Sequence, residues 1–153
     1  MSVERVRAFL ERKAPAISVT ELEEPTATVS QAAEAFKVQP GQIAKSLSFR
    51  VNNAVIVLVM AGDYRLNNKK FKDYFGVKAR MLPSEEVLDA TGFTPGGVSP
   101  LGINAEVAVY CDESLRNYEE VLPSGGNGQS GVRISPDTLA YITGATWVGL
   151  CGK

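Results

Sequence analysis

The chain predicts an α+β fold: a mixed, largely antiparallel sheet, partly barrel-like, flanked by short helices. Three observations carry that expectation. Strand-like and helix-like segments alternate irregularly, without the regular spacing of a doubly wound sheet. Asn52-Asn53 separates the run Lys45–Val51 from the run Ala54–Met60, a two-residue signature of an antiparallel hairpin. The 153 residues, 44% hydrophobic and 22% charged, suffice for one ordinary core, so a single domain over residues 1–153 is expected.

Each element follows from local chemistry. Ser2 reads as the cap of a first helix whose apolar residues Val3, Val6, Phe9 and Leu10 recur at helical spacing, and Pro15 ends it. Thr28-Val29-Ser30-Gln31 has the form of a capping box and opens a second helix through Phe36. Pro40-Gly41-Gln42 turns the chain and delivers Lys45 to the head of the first hairpin strand. Beyond the hairpin, Asn67–Phe75 reads as a short basic helix stopped by Gly76, and Val77–Leu82 as a strand. Ser84 reads as the cap of a helix whose Glu85 and Glu86 suit the positive end of its dipole. Glu106–Cys111 is a strand, with Asp112 capping the turn behind it, and Val132–Ser135 is another. Ser135-Pro136-Asp137 has the cap, proline, acid order of a last helix; Gly144 closes it before a final strand, Ala145–Leu150.

Composition excludes several kinds of chemistry. Histidine is absent, so there is no Ser-His-Asp or Cys-His apparatus and no histidine-bearing zinc site. Catalysis falls to lysine, carboxylates, hydroxyls, backbone dipoles or the substrate itself. Cys111 and Cys151 lack metal-ligand spacing, so neither a metal nor a cofactor is expected, and such sparse cysteine reads as a reduced, cytoplasmic protein. The longest apolar run, Ala54–Ala61, is a buried strand and far too short to cross a bilayer; Met1–Arg7 lacks the apolar core of a secretory signal. No membrane partner is expected. A net charge of −1 argues against a free-standing, tight nucleic-acid binder, and DNA is not an expected partner. The charge is uneven, however. Arg65, Lys69, Lys70, Lys72, Lys78 and Arg80 face one acid, Asp73, which gives that segment +5 and leaves −6 for the rest. Two readings stay open: a solvated helix face, or a phosphate-facing patch making weak, salt-sensitive contact with RNA.

Among the motifs, Gly96-Gly97-Val98-Ser99-Pro100-Leu101-Gly102 concentrates exposed main chain. Glycine lets a ligand approach the backbone, and Pro100 fixes φ, so the loop reads as open and rigid together. Gly126-Asn127-Gly128-Gln129-Ser130-Gly131 matches G-x-G-x-x-G, but a dinucleotide fingerprint opens a helix, and here the β-like Val132-Arg133-Ile134 follows. A flexible hairpin connection fits better. Lys45 taken alone is a strand-end lysine that keeps an edge soluble. Cys111, at the end of the run Val107–Tyr110, reads as a buried structural thiol, and Trp147 and Tyr141 read as core.

Taken in order, Pro40-Gly41-Gln42-Ile43-Ala44-Lys45-Ser46-Leu47, then the Gly96–Gly102 loop with its G-x-x-x-P spacing, then Ser124-Gly125-Gly126, resemble the YbaK/ProX family. These are stand-alone relatives of the editing domain inserted in bacterial prolyl-tRNA synthetases. The resemblance runs from about Val19 to Leu150, nearly the whole chain. It implies a mixed sheet flanked by helices, and hydrolysis of the ester joining a wrong amino acid to a tRNA, foremost tRNA(Pro). A prolyl-tRNA synthetase or another synthetase is the implied partner.

The resemblance also assigns residues. Lys45 matches the family's essential lysine, near the 3′-terminal adenosine. Gly96, Gly97 and Val98 match the loop that offers N–H groups to a developing oxyanion. Ser99, Pro100, Leu101 and Gly102 complete that loop, with Val98 and Leu101 setting the pocket's volume. Ser46 stands where Cys-specific members often carry threonine, and Ser124 is a further pocket candidate. Apart from the resemblance, the uneven charge makes Arg65, Lys69, Lys70 and Lys72 the candidate RNA contacts. One departure stands out. Cys-specific members carry an aspartate in a G-L-D-I context after the Ser-Gly-Gly stretch, and this chain has Gly131-Val132-Arg133-Ile134. A cation at the pocket rim would receive a substrate ammonium differently. Two competing readings follow: a non-catalytic member that binds tRNA or a synthetase, and a small-molecule ester or amide hydrolase.

Overall fold

The segment Ala54–Ala61 is apolar from end to end because both its faces are covered: from Ile56 onward no residue is more than 4% exposed. The computed structural model describes residues 2–153, and Met1 lies outside them. In chain order the first half comprises α1 (Ser2–Lys13), β1 (Val19–Glu21), α2 (Val29–Phe36), β2 (Ile43–Val51), β3 (Ala54–Ala61), β4 (Arg65–Leu66) and α3 (Asn68–Phe75). The second comprises α4 (Ser84–Thr91), β5 (Ala108–Asp112), β6 (Leu122–Pro123), β7 (Ser130–Val132), α5 (Pro136–Thr143), β8 (Thr146–Val148) and β9 (Cys151–Gly152).

The hairpin read from Asn52-Asn53 is present. β2 and β3 pair antiparallel from Val51↔Ala54 to Ala44↔Ala61, and Asn52 takes a left-handed φ of 55°, which asparagine tolerates better than most residues. β5 and then β8 add in parallel beyond β3, while β6 lies parallel along the outer edge of β2. The resulting order is β6-β2-β3-β5-β8. Two short antiparallel ladders, β1/β7 and β4/β9, extend it. The α+β fold with a curled, mixed half-barrel sheet and five helices is thus as expected, its antiparallel weight carried by the hairpin and the small ladders.

Apolar stripes seat the helices. α1 buries Val3, Val6 and Leu10, and α5 buries Leu139, Ala140 and Ile142, with Val6, Leu10 and the α5 residues sharing a core with Val57 and Val59. α3 sends Phe71 into a second core with Phe49, Leu58 and Met60, its ring 5.0 Å from that of Phe49. α2 forms a small third cluster, Ala32, Ala33 and Phe36 against Ile43 and Leu122. The predicted capping box holds: Thr28 Oγ1 accepts from Gln31 N–H at 3.1 Å, and Gln31 Oε1 accepts from Thr28 N–H at 3.3 Å. Asn67 and Ser135 cap α3 and α5 through one half of that arrangement, each side chain accepting from the N–H three residues on.

Several expected boundaries move. Ser2 is the first residue of α1 rather than its cap, Lys45 is the third residue of β2 rather than its head, and Pro83, not Ser84, precedes α4. Val77–Leu82 forms no strand: it touches β2 through the single bridge Phe49↔Met81. The strand expected at Val132–Ser135 is β7, displaced toward Ser130, and Tyr141, expected in the core, is 86% exposed. The final strand breaks into β8 and β9 because Leu150 N–H leaves the ladder and donates to Asp112 Oδ1 at 2.7 Å.

Asp112 is 2% exposed and holds two buried donors, Leu150 N–H and Ser114 N–H at 3.0 Å. Leu150 in turn accepts at its carbonyl from Asn67 N–H at 2.8 Å, the head of α3. The carboxylate therefore fixes the C-terminal strap and, through it, the basic helix. Asp112→Ala strands both N–H groups and lowers stability by about 2–4 kcal/mol, read as a fall in the urea midpoint.

Candidate functional site

A cavity of about 270 Å³ opens where β2 is incompletely paired. β6 follows the outer edge of β2 only as far as Ala44↔Pro123. Farther along, residues 80–82 cover the same edge, with Leu82 N–H donating to Ser48 O at 3.1 Å and Arg50 N–H to Arg80 O at 2.9 Å. Between these two covered stretches lie Lys45, Ser46 and Leu47, and all three line the cavity.

The opposite walls are apolar. Val29, Ala32 and Phe36 of α2 face the cavity, as do Ile43, Leu122 and Val98. Thr26, Thr28, Ser124 and Ser130 add hydroxyls. Thr26 closes the rim by a double contact: its Oγ1–H donates to Ser130 O at 3.2 Å and its oxygen accepts from Ser130 N–H at 3.0 Å. Among the described residues no carboxylate and no thiol lines the space, and Lys45 is its one cation, with Nζ donating to Tyr64 O at 3.0 Å.

The structure gathers Lys45, Ser46, Gly96, Val98 and Ser124 around one cavity. It divides the rest of the expected loop. Gly97 does not line the space, and its N–H is taken by Thr94 O at 3.0 Å. A Cβ there would sit 2.7 Å from Asn127 Cα, so Gly97 is the point where the two glycine-rich segments touch main chain to main chain. No described residue accepts from Gly96 N–H or Val98 N–H.

Beyond Val98 the loop is a structural foot. Ser99 is fully buried and its Oγ accepts from Leu101 N–H at 3.2 Å, and Leu101 is core rather than a determinant of cavity volume. Pro100 and Gly102 border a different hollow, about 690 Å³ between α1 and α5, where Arg5 donates to Gly102 O and Asn104 Oδ1.

Arg133 is also outside the cavity. Its guanidinium pairs with Glu120 at 3.1 Å and stacks 5.7 Å from the Phe36 ring centre, so a balanced ion pair stands beside a cavity-wall residue. The inward-facing α2 residues and the Thr26–Thr28 stretch were not singled out from sequence. The capping box was the available signal, and it announces a helix start, not what the helix faces.

Electropositive groups continue from the cavity along one side. Lys45 and Lys70 both favour the thiolate form of Cys151. Burial nevertheless dominates there, and with Asp112 nearby the thiol is pushed up to about 12. Cys111 is pushed up to about 12 as well, chiefly by burial. Neither is a thiolate nucleophile at neutral pH. Lys70, Lys72 and Arg65 are exposed, whereas Lys69 is paired with Asp73 at 2.9 Å. Among the described residues no group of three or more potential ligands could hold a metal, and no helix is long and apolar enough to cross a membrane.

Comparison with known proteins fits this geometry. Residues 23–142 match the family described as "Aminoacyl-tRNA editing domain". The "Uncharacterized protein YwhH" of Bacillus subtilis is 41% identical over 99% of this chain and 98% of its own length. The "Putative Cys-tRNA(Pro)/Cys-tRNA(Cys) deacylase EbsC" of Enterococcus faecalis is 27% identical over 79% of this chain and 75% of its own. A crystal structure described as a "putative trans-editing enzyme for prolyl tRNA synthetase" superposes with a TM-score of 0.91 at 35% identity, covering 99% of this chain and 98% of that one.

Gly97→Ala forces the two glycine segments apart at a main-chain contact that cannot yield by side-chain rotation. The variant is expected to lose about 1–3 kcal/mol of stability, measured by thermal denaturation.

Proposed function

This chain belongs to the aminoacyl-tRNA editing domain family, and from that premise we propose that it is a trans-editing deacylase. Its one domain, residues 1–153, hydrolyses the ester of a mischarged tRNA, foremost tRNA(Pro), in the cytoplasm where charged tRNA is used. The observation that carries this reading is the shared cavity: it is lined by Lys45 and by Gly96 and Val98, whose N–H groups have no acceptor among the described residues.

The chemistry needs no histidine. An aminoacyl ester is already activated by the neighbouring ribose hydroxyl, so positioning and charge stabilisation do most of the work. Water adds to the carbonyl carbon, with the developing oxyanion held by Gly96 and Val98 N–H, an effect worth about 3 kcal/mol per donor in other enzymes. The bond to the ribose oxygen then breaks, that oxygen takes a proton, and the free amino acid and the uncharged tRNA leave. Lys45 serves as a point charge for a ribose or phosphate oxygen.

Arg133 supports a working hydrolase over a binding-only relative. The charge reversal that motivates the second reading is neutralised by Glu120 and lies outside the cavity. Lys70, Lys72 and Arg65 supply the RNA contact next to Lys45, and the ion-paired Lys69 contributes less.

Deacylation of Cys-, Ala- and Ser-tRNA(Pro), with Pro-tRNA(Pro) as control, tests the reading. Selective hydrolysis of one member is expected, with Lys45→Ala lowering kcat/KM by about 100-fold or more. A folded wild type that hydrolyses none of them sinks the proposal. For the basic face, Lys70→Glu with Lys72→Glu raises KM and leaves kcat near wild type. The gap narrows as salt rises from about 50 to about 200 mM. A salt-independent KM would remove the RNA role of that face.

A further inference from the structure

The outer edge of β2 is covered on both sides of a single open rung. Main-chain groups point alternately to the two sides of a strand. The bonds from Leu82 N–H to Ser48 O and from Arg50 N–H to Arg80 O show that the even-numbered residues of β2 point away from β3. The parallel contact with β6 accounts for Ala44. Ser46 is the even-numbered residue left between them, and neither its N–H nor its C=O meets a partner among the described residues. Its side chain adds a second, independent sign. Ser46 Oγ is the one buried side-chain polar atom without a hydrogen bond among the described residues. Polar groups left unpaired by protein in the wall of a cavity are rare in native proteins and are free to take a partner from outside the chain, solvent or ligand.

We propose that the main chain of Ser46 seats the substrate's amino acid, which completes the missing rung as a strand one residue long. The inference rests on the editing reading and deepens it by naming what the site recognises. An occupant that satisfies both groups of one residue must carry an N–H donor and a carbonyl acceptor flanking a single carbon. That is the α-aminoacyl unit. Its ammonium donates to Ser46 O, and Ser46 N–H donates to the ester carbonyl oxygen, as in a hydrogen-bonded pair of an antiparallel ladder. Among the described residues no carboxylate lines the cavity to receive the ammonium, and the Ser46 carbonyl is the main-chain acceptor that the gap in the edge leaves unpaired. Recognition by main chain is indifferent to the amino acid's side chain. Selection among amino acids then falls to Val29, Ala32, Phe36 and Val98.

Two non-hydrolysable ligands test this: 3′-alanylamino-3′-deoxyadenosine, and its lactoyl counterpart with hydroxyl in place of the α-amino group. Each is titrated into ¹⁵N-labelled wild-type protein and followed by the amide resonances. The alanyl compound is expected to move the Ser46 amide proton downfield and slow its exchange with solvent. The lactoyl compound should bind about 10- to 100-fold more weakly, because a charge-assisted hydrogen bond is lost. A Ser46 resonance that stays put while Gly96 or Val98 shifts overturns the inference. So do equal affinities for the two ligands, or failure of the alanyl compound to bind at millimolar concentration. The editing reading fails separately, through a wild type that hydrolyses no charged tRNA in the panel.

Discussion

Everything distinctive about this site depends on one constraint, the incomplete pairing of β2's outer edge. On its inner edge β2 is bound to β3 along its whole length, so the strand is fixed whether or not its outer edge is satisfied. β6 stops after two residues because Ser124-Gly125-Gly126 turns the chain under α1. The corner is packed tightly enough that a Cβ on Gly126 would meet Ser2 O at 2.5 Å, and one on Gly125 would meet Ser130 Oγ at 2.6 Å. Residues 80–82 arrive from the other end and stop at Ser48. The cavity is a gap in a sheet, bounded by α2, by Gly96 and Val98, and by Lys45, Ser46 and Leu47 of β2. A sheet edge inside a cavity would otherwise invite pairing with another chain; here the neighbouring covers leave room for one residue.

The C-terminal strap links this gap to the basic face. Asp112 holds Leu150, and Leu150 holds Asn67 at the head of α3. One residue pair farther, β9 ties to β4, and Lys153 pairs with Asp63 at 3.3 Å. Asp63 is followed by Tyr64, whose carbonyl accepts from Lys45 Nζ. The ammonium group at the cavity and the lysines on α3 are thus carried by one set of contacts. That arrangement reconciles a net charge of −1 with an anionic ligand, because cations are gathered where the proposed RNA would lie.

Much of this was legible in the sequence where a local rule acts alone. The Thr28 capping box, the Asn52 turn and the doubly covered β3 each follow from a few adjacent residues, and each is present. Lys45 and the Gly96 turn could be paired only through family resemblance, since no spacing rule joins residues half a chain apart. Other features left no local mark. β1, β4, β6 and β9 are two or three residues long, too short for an alternation to register. The loop from Gly96 to Gly102 reads as one glycine-rich unit, yet the buried Ser99 hydroxyl pins its second half into the core. Arg133 shows the reverse case. The cation that the sequence puts at the pocket rim pairs with Glu120 in the structure and is not among the residues lining the cavity.

A site built this way separates chemistry from selectivity. The groups proposed to hold the ester, Ser46 and the N–H donors of Gly96 and Val98, belong to the main chain, and no substitution that preserves the backbone removes them. The walls that meet the amino acid's side chain belong to α2 and to Val98, whose side chains vary without disturbing a hydrogen bond. In a cavity of about 270 Å³, exchanging alanine for valine at position 32 removes a volume comparable to the methyl or hydroxymethyl groups that distinguish small amino acids. A fold with this division can change which amino acid it accepts through one or two helix positions while the hydrolytic step stays as it was. On the proposed reading, main-chain recognition of the α-aminoacyl unit and side-chain recognition of its substituent are therefore separable properties of the same gap in β2.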